Sequence, residues 1–284
     1  MKKIKCIVLM CLTMAFFVGC QPGEIRDGTG MICPGKASIE EAVRMIDLQR
    51  SNVQPLRASA ECTFHYQNDK GKEKKQMVDP VTVRFVPPYR IIFRGDEFGE
   101  VGFGANENQF WLRVKPEWDS YWWGTRSQAD QCAETMLINP YNVIEALGVV
   151  EVTADWQLSH DKGYDILTLF AAGNTLAKRV YVDACDYLVE RIEYYDQEGF
   201  LKASADLSRY TTGEDGIIVP SVIEATYYRY GIKECFVVIK LKHVGSFFPT
   251  EKQRRLLFKR PERDGFEHMY KLNDACEFIE EVNR

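Results

Sequence analysis

Histidine is scarce in this chain. There are four in 284 residues, His65, His160, His243 and His268, and no two stand at a metal-ligand spacing. His65 falls on the polar side of an alternating stretch and is expected in solvent. The H-E-x-x-H pair of helical zinc proteases is absent, and so are the G-x-S-x-G elbow and the phosphate-binding P-loop. Gly102-Phe103-Gly104 lacks both the third glycine and the following helix of a dinucleotide fingerprint. No two cysteines stand at C-x-x-C spacing, which excludes a zinc ribbon and a thioredoxin-like redox site. Asp96, Glu97 and Glu100 crowd one turn, but carboxylates in a turn are ordinarily solvated. They are read as neither a catalytic pair nor a cation site. A basic patch is missing too: 36 Lys and Arg face 41 Asp and Glu, so no nucleic-acid partner is expected. The expectation is a protein that is not an enzyme and carries no cofactor and no metal.

What is present begins at the amino terminus. Lys2, Lys3 and Lys5 precede a run from Cys6 to Val18 that is apolar apart from Thr13. A membrane span needs ~20 apolar residues, so this shorter run has the shape of a secretory signal. It ends in Phe17-Val18-Gly19-Cys20, which resembles the bacterial lipobox, with Phe17 in place of the usual leucine. That resemblance implies a diacylglyceryl group on Cys20, cleavage before it, and a palmitate-type chain on the new amino terminus. Two or three acyl chains anchor stably where one is marginal. The expected division is a signal peptide over residues 1–19, a tether over 20–37 and a single domain over 38–284. Gln21 after Cys20, rather than Asp, points towards the outer membrane. Loss of Lys2, Lys3 and Lys5 takes the formal charge from −5 to −8. Six further cysteines remain, an even number suited to disulfides in an oxidising compartment.

The mature chain reads as strands. Ser38-Ile39-Glu40-Glu41 opens a helix as a capping box, with Ile39, Ala42, Val43 and Ile46 on one face. Residues 56–66 alternate cleanly, with Leu56, Ala58, Ala60, Cys62, Phe64 and Tyr66 on one side, as in a sheet with one dry face. Residues 81–114 hold four short runs divided by Pro87-Pro88, Gly95, Gly99 and Asn106-Glu107-Asn108, an antiparallel meander. Asn139-Pro140 to Leu147-Gly148 has the N-cap, first-turn proline and C′ glycine of a short helix. Seven more strands follow at 156–159, 164–170, 177–182, 188–195, 201–210, 217–228 and 235–244. Pro220 marks an edge or a bulge in the sixth of these. Residues 275–282 are expected to end the chain in a helical turn or two. The fold class is mainly β with a few helices, an up-and-down sheet of about eleven strands curled around them.

The segment from Val81 to Trp111 resembles the LolA/LolB-like lipoprotein-localisation family. A long alternating strand comes first, then Phe85-Val86-Pro87-Pro88-Tyr89-Arg90, then Arg94-Gly95, then a polar turn leading into Phe110-Trp111-Leu112. The helix at Asn139–Gly148 and the late Phe258–Pro261 element follow in the same order. The likeness covers about two-thirds of the mature chain; the extra cysteines and the Tyr121-Trp122-Trp123 cluster lie outside it. It implies an incomplete antiparallel barrel with a helical lid and an apolar cavity that takes acyl chains.

Strand alternation makes Phe64, Phe93, Phe103, Trp111, Ile192 and Leu207 the candidate cavity lining. The helices from Ser38 and Pro140 are expected near its mouth. Trp118, Tyr121, Trp122 and Trp123 either plug one end of the barrel or form a binding lip. Cys33 and Cys62 are a candidate disulfide, because the capped helix is expected to lie on the first strand; a plain buried thiol at Cys62 is the alternative. Three functions compete: a membrane-anchored protein of the outer envelope that binds lipid or lipoprotein acyl chains, an envelope module that binds glycan or protein on an aromatic platform, and a structural lipoprotein. Where the apolar strand face points separates them.

Overall fold

A computed structural model describes residues 33–67, 71–95, 101–115, 119–132, 140–262 and 265–281. The leader, Cys20, Trp118 and the turn with Asp96, Glu97 and Glu100 lie outside the described residues.

One open sheet of fifteen strands organises the molecule. The first half is β1 (Leu56–Gln67), β2 (Glu73–Val86), β3 (Arg90–Gly95), β4 (Val101–Ala105), β5 (Gln109–Val114) and β6 (Ser120–Thr125). The second is β7 (Gln157–Asp161), β8 (Tyr164–Phe170), β9 (Leu176–Asp183), β10 (Val189–Tyr195), β11 (Leu201–Thr212), β12 (Ile218–Arg229) and β13 (Ile232–Ser246). A terminal hairpin, β14 (His268–Leu272) and β15 (Phe278–Glu280), completes it. The chain starts in the middle at β1 and meanders outward to β6. It then crosses to the far edge at β7 and meanders back until β13 pairs antiparallel with β1. β14 adds to β6 in a parallel pairing, and β15 forms that edge.

The twelve stretches read as strands are all present, and the Tyr-Trp-Trp strand and the two strands of the terminal hairpin bring the total to fifteen, above the expectation of about eleven. Residues 275–282 were expected to be helical, yet Phe278-Ile279-Glu280 pairs with β14. So short a segment cannot sustain a helix unaided, whereas a sheet edge offers it hydrogen-bond partners at once. Pro220 lies in an interior strand, but opposite Tyr210 on one side and past the last β12–β13 pair, Val222 with Lys240, on the other. Its missing N–H therefore removes no ladder bond to β13.

Among the described residues, four α-helices accompany the sheet: α1 (Ile39–Asn52), α2 (Arg126–Gln131), α3 (Pro140–Ala146) and α4 (Glu251–Leu257). Ser38 caps α1 through the Glu41 amide, while the Glu41 carboxylate reaches the amide of Ala37, one residue beyond the box geometry. α2 and α4 have complete capping boxes, Thr125 with Gln128 and Thr250 with Gln253. Both spell the T-x-x-Q signature, which a search confined to apolar periodicity passes over. The core fills the inner face around Leu56, Phe85, Ile91 and Leu167, all fully buried, with Ala42 and Ile46 of α1 packed into it.

Candidate ligand-binding cavity

The inner face of the curled sheet is packed at one end and open at the other. Strand direction defines the ends: β1 runs from the packed end at Leu56 towards the turn that leads into β2. Near that turn the sheet encloses a cavity of about 370 Å³, lined by β1 to β6, β10 to β13, α3 and Phe278 of β15. Its wall is almost wholly apolar. Small-molecule sites commonly span ~300–1,000 Å³, so this is a site-sized space rather than a packing defect.

Phe64, Phe93 and Phe103 line the cavity. Phe93 and Phe103 face each other across β3 and β4 and stack, centroids 4.4 Å apart at 14°. Phe110, Leu112 and Trp122 continue the wall. Trp111, expected among them, points to the opposite face between Phe110 and Leu112. There it is fully buried with Tyr121 and Phe266. This is the one-residue parity error to which strand reading is exposed. Ile192 and Leu207 share the parity of the lining residues Tyr194 and Ala205, but they lie towards the packed end and belong to the solid core.

α3 supplies Asn142, Val143 and Ala146 to the wall. α1 supplies no lining residue, so of the two helices expected at the mouth only the second borders the cavity. His65 is not free in solvent: it stacks on Phe236 at 4.2 Å and 7°, and both rings line the cavity. Two free thiols also face this space. Burial, with Glu61 and Asp79 nearby, pushes the Cys62 thiol up to about 12. Burial, with Glu234 nearby, pushes that of Cys235 up to about 11. Both stay protonated and unreactive at neutral pH.

The expected Cys33–Cys62 bridge is not formed. Cys33 pairs with Cys185 in the β9–β10 turn, and Cys132 at the end of α2 pairs with Cys276 in the β14–β15 turn. Cys62 sits inside a strand facing the cavity, and the residues before α1 run instead to the β7–β8 edge. There the Lys36 amide donates to the fully buried Asp165 carboxylate at 3.0 Å. Tyr187 and His160 also bond that carboxylate, at 3.2 and 2.9 Å.

The aromatic run of β6 splits between two faces. Trp122 turns inward and stacks on Tyr270 at 5.6 Å. Tyr121 is fully buried on the outer side, its hydroxyl donating to the Pro261 carbonyl at 3.3 Å. Trp123 donates its indole N–H to Glu281 at 2.9 Å and lies 4.0 Å beneath the Arg260 guanidinium. The described members are wall and packing residues, not one exposed platform.

Behind α3 lies a second cleft of about 310 Å³ lined by Tyr89, Arg126, Glu145, Lys178 and Tyr195 among others. Within it Lys178 pairs with Glu145 at 2.5 Å, and Arg126 stacks on Tyr89 at 3.4 Å. The Tyr194 hydroxyl donates to Glu145, and burial beside that carboxylate holds its proton well above the usual phenol range.

No protein-family model matches the chain, and no curated protein matches its sequence. Solved structures do match its fold. A domain assigned as an outer membrane lipoprotein-sorting protein, from Vibrio parahaemolyticus, superposes with a TM-score of 0.51 at 12% identity. That match covers 78% of this chain and 99% of the other. A LolA superfamily protein from Nitrosomonas europaea matches with a TM-score of 0.48 at 10% identity, covering 79% and 99%. A DUF1329 family protein from Desulfovibrio piger gives 0.47 at 13%, covering 79% and 98%. The chain thus shares the fold of the Vibrio parahaemolyticus domain, an incomplete barrel, with fifteen strands in its sheet.

Proposed function

We propose that this protein is a non-enzymatic lipoprotein of the cell envelope, anchored through Cys20, that holds the acyl chains of a lipid or lipoprotein in the cavity of its curled sheet. The observation that carries the reading is the cavity itself: a partly open, almost wholly apolar space of about 370 Å³ on the inner face of the sheet. Each methylene buried there contributes roughly 0.8 kcal/mol, so an acyl chain needs no charged contact to bind. The shared fold supports this use, since it is the fold of a domain assigned to lipoprotein sorting. The lipobox-like Val18-Gly19-Cys20 supports the anchor and an outer-membrane location facing the periplasm, with residues 38–284 acting as one domain behind a short tether.

Native mass spectrometry of the purified, anchor-free chain tests the reading directly. The expected result is a co-purified acyl species, displaced by a fluorescent fatty acid. A chain that carries no lipid and binds no such probe overturns it. The anchor is tested separately: Cys20→Ser is expected to move the protein from the membrane fraction to the soluble one, and retention after a high-salt wash refutes lipidation.

A further inference from the structure

The cleft behind α3 has a chemistry that the cavity lacks. No Asp, Glu, Lys or Arg among the described residues lines the cavity, whereas five line the cleft: Arg126, Asp130, Glu145, Glu151 and Lys178. Asn142 and Tyr194 border both spaces, and α3 stands between them. An acyl chain gains nothing from so polar a wall, so the cleft needs an account of its own.

Arg126 and Asp130 carry the argument. They stand four residues apart on α2 and therefore share a face. The Arg126 Nε is buried and makes no hydrogen bond among the described residues. Oδ2 of Asp130 lies 3.6 Å from it, an ion pair beyond hydrogen-bond length. Burial raises the Asp130 carboxyl above its ordinary range, against the opposing pull of Arg126 and with Glu145 and Glu151 adding to it. The guanidinium thus offers a donor without an acceptor, and the carboxylate is short of donors. A hydroxyl answers both at once, because it accepts from the first and donates to the second.

The rest of the cleft repeats this pairing and holds it in place. Lys178 gives one of its N–H groups to Glu145 at 2.5 Å. An ammonium has three, and the others make no hydrogen bond among the described residues. The Arg126 guanidinium lies flat against Tyr89, 3.4 Å from the ring centroid. α2 itself is fixed at its start by the Thr125–Gln128 capping box and at its end by the Cys132–Cys276 disulfide. Little side-chain or backbone ordering is left to be done on binding. Tyr141 and Tyr195 add aromatic surface to the wall, suited to the apolar C–H face of a sugar ring.

Two cations against three carboxylates leave the cleft at a formal −1, which disfavours an anion. A guanidinium and an ammonium in the wall disfavour a cation. Its volume of about 310 Å³ falls in the range of small-molecule sites, ~300–1,000 Å³. We propose that the cleft behind α3 binds a short neutral saccharide, with one sugar hydroxyl bridging Arg126 and Asp130. The proposal is independent of what the cavity on the other side of α3 holds.

The test uses the mature chain with Cys20→Ser. Saturation-transfer NMR and titration calorimetry are run with glucose, galactose, mannose, N-acetylglucosamine, cellobiose, lactose and chitobiose, and with glucuronate and spermidine as charged probes. At least one neutral sugar is expected to bind with a Kd of about 1 mM or tighter, and neither charged probe is expected to match it. Arg126→Lys keeps the positive charge but not the Nε–H, and Asp130→Ala leaves a strong helix former on α2. Each is expected to weaken that sugar at least tenfold, while thermal unfolding and affinity for a fatty-acid probe stay unchanged. The proposal is overturned if no neutral sugar binds, if glucuronate or spermidine binds more tightly than every sugar, or if sugar binding survives both substitutions.

Discussion

At the scale of single residues, face matters more than identity. Trp111 and Phe103 are both large aromatics on adjacent strands, yet one is packed on both sides and the other borders space. Trp111→Ala is expected to cost about 3–5 kcal/mol, as full truncation of a buried aromatic does. Phe103→Ala is expected to cost roughly 1–2 kcal/mol, because only part of its surface is buried against protein, and to weaken a fatty-acid probe at least fivefold. Denaturant melts and probe titrations of the two variants check this; equal stability losses would refute the assignment of faces. Gly104 makes the same point in reverse. A Cβ there would approach Trp111 to 2.6 Å and the Ile91 carbonyl to 3.0 Å. Gly104→Ala is therefore expected to destabilise by about 1–3 kcal/mol through overpacking. Cys62 and Cys235 act as internal reporters. With thiols pushed up to about 12 and about 11, both are expected to alkylate slowly at neutral pH, and more slowly still with a fatty acid bound. Alkylation followed by mass spectrometry reads this; rates indifferent to ligand would mean that the ligand sits elsewhere.

Among the elements, the β14–β15 hairpin is the one the sequence conceals most. Its strands are short, and it is fixed by a parallel pairing to β6, by the Cys132–Cys276 disulfide and by a bond between Gln128 and Asp274 at 2.9 Å. The disulfide closes 144 residues of sequence. Replacing both cysteines by serine is expected to lower stability by roughly 2–5 kcal/mol and to raise amide exchange first in β14 and β15. Uniform exchange across the sheet would show that the hairpin is held without it. His268 adds a pH dependence. Its bond to Glu280 at 2.7 Å raises its pKa above the ordinary 6.5. A raised folded-state pKa means a contribution that is full below the unfolded value and lost as pH rises through the folded one. Hairpin amides are expected to be better protected in mildly acidic than in mildly alkaline buffer, after correction for intrinsic rates. His268→Gln should abolish that difference.

Over the whole molecule, one meander runs outward from β1 and the other runs inward from the β7 edge to β13, the two close against each other at β1 and β13, and the cavity is what their shared curl leaves unfilled. Ligand that binds only the folded state stabilises by about 2.7 kcal/mol at a hundredfold excess over Kd. For a domain of this size 1 kcal/mol corresponds to ~2–4 °C, so a saturating fatty acid is expected to raise Tm by about 5–10 °C. A calorimetric scan with and without ligand checks it, and an unmoved Tm at saturating probe would argue against a site in the fold's interior.

Much of this architecture is legible along the chain because strand formation here is local. Alternation in residues 56–66, the Pro and Gly breaks of 81–114 and the seven later runs each place a strand within a few residues of its observed bounds, except that β2 begins at Glu73, well before Val81. The capping chemistry of Ser38 and the Pro140…Gly148 frame do the same for two helices. Side-chain period alone also brings Phe64, Phe93 and Phe103 to one face. Tertiary structure decided everything that depends on distance in space. Which cysteines meet follows from Cys33 running to the β9–β10 turn and Cys276 to α2, contacts separated by 152 and 144 residues. Which apolar positions face a cavity rather than a core depends on how far the curl closes along each strand, so Ile192 and Leu207 share the face of the lining but not its space. That residues 278–280 form a strand depends on an edge being present for them to join. A two-residue period specifies a face, not what lies opposite it, and what lies opposite is set by chain that is remote in sequence.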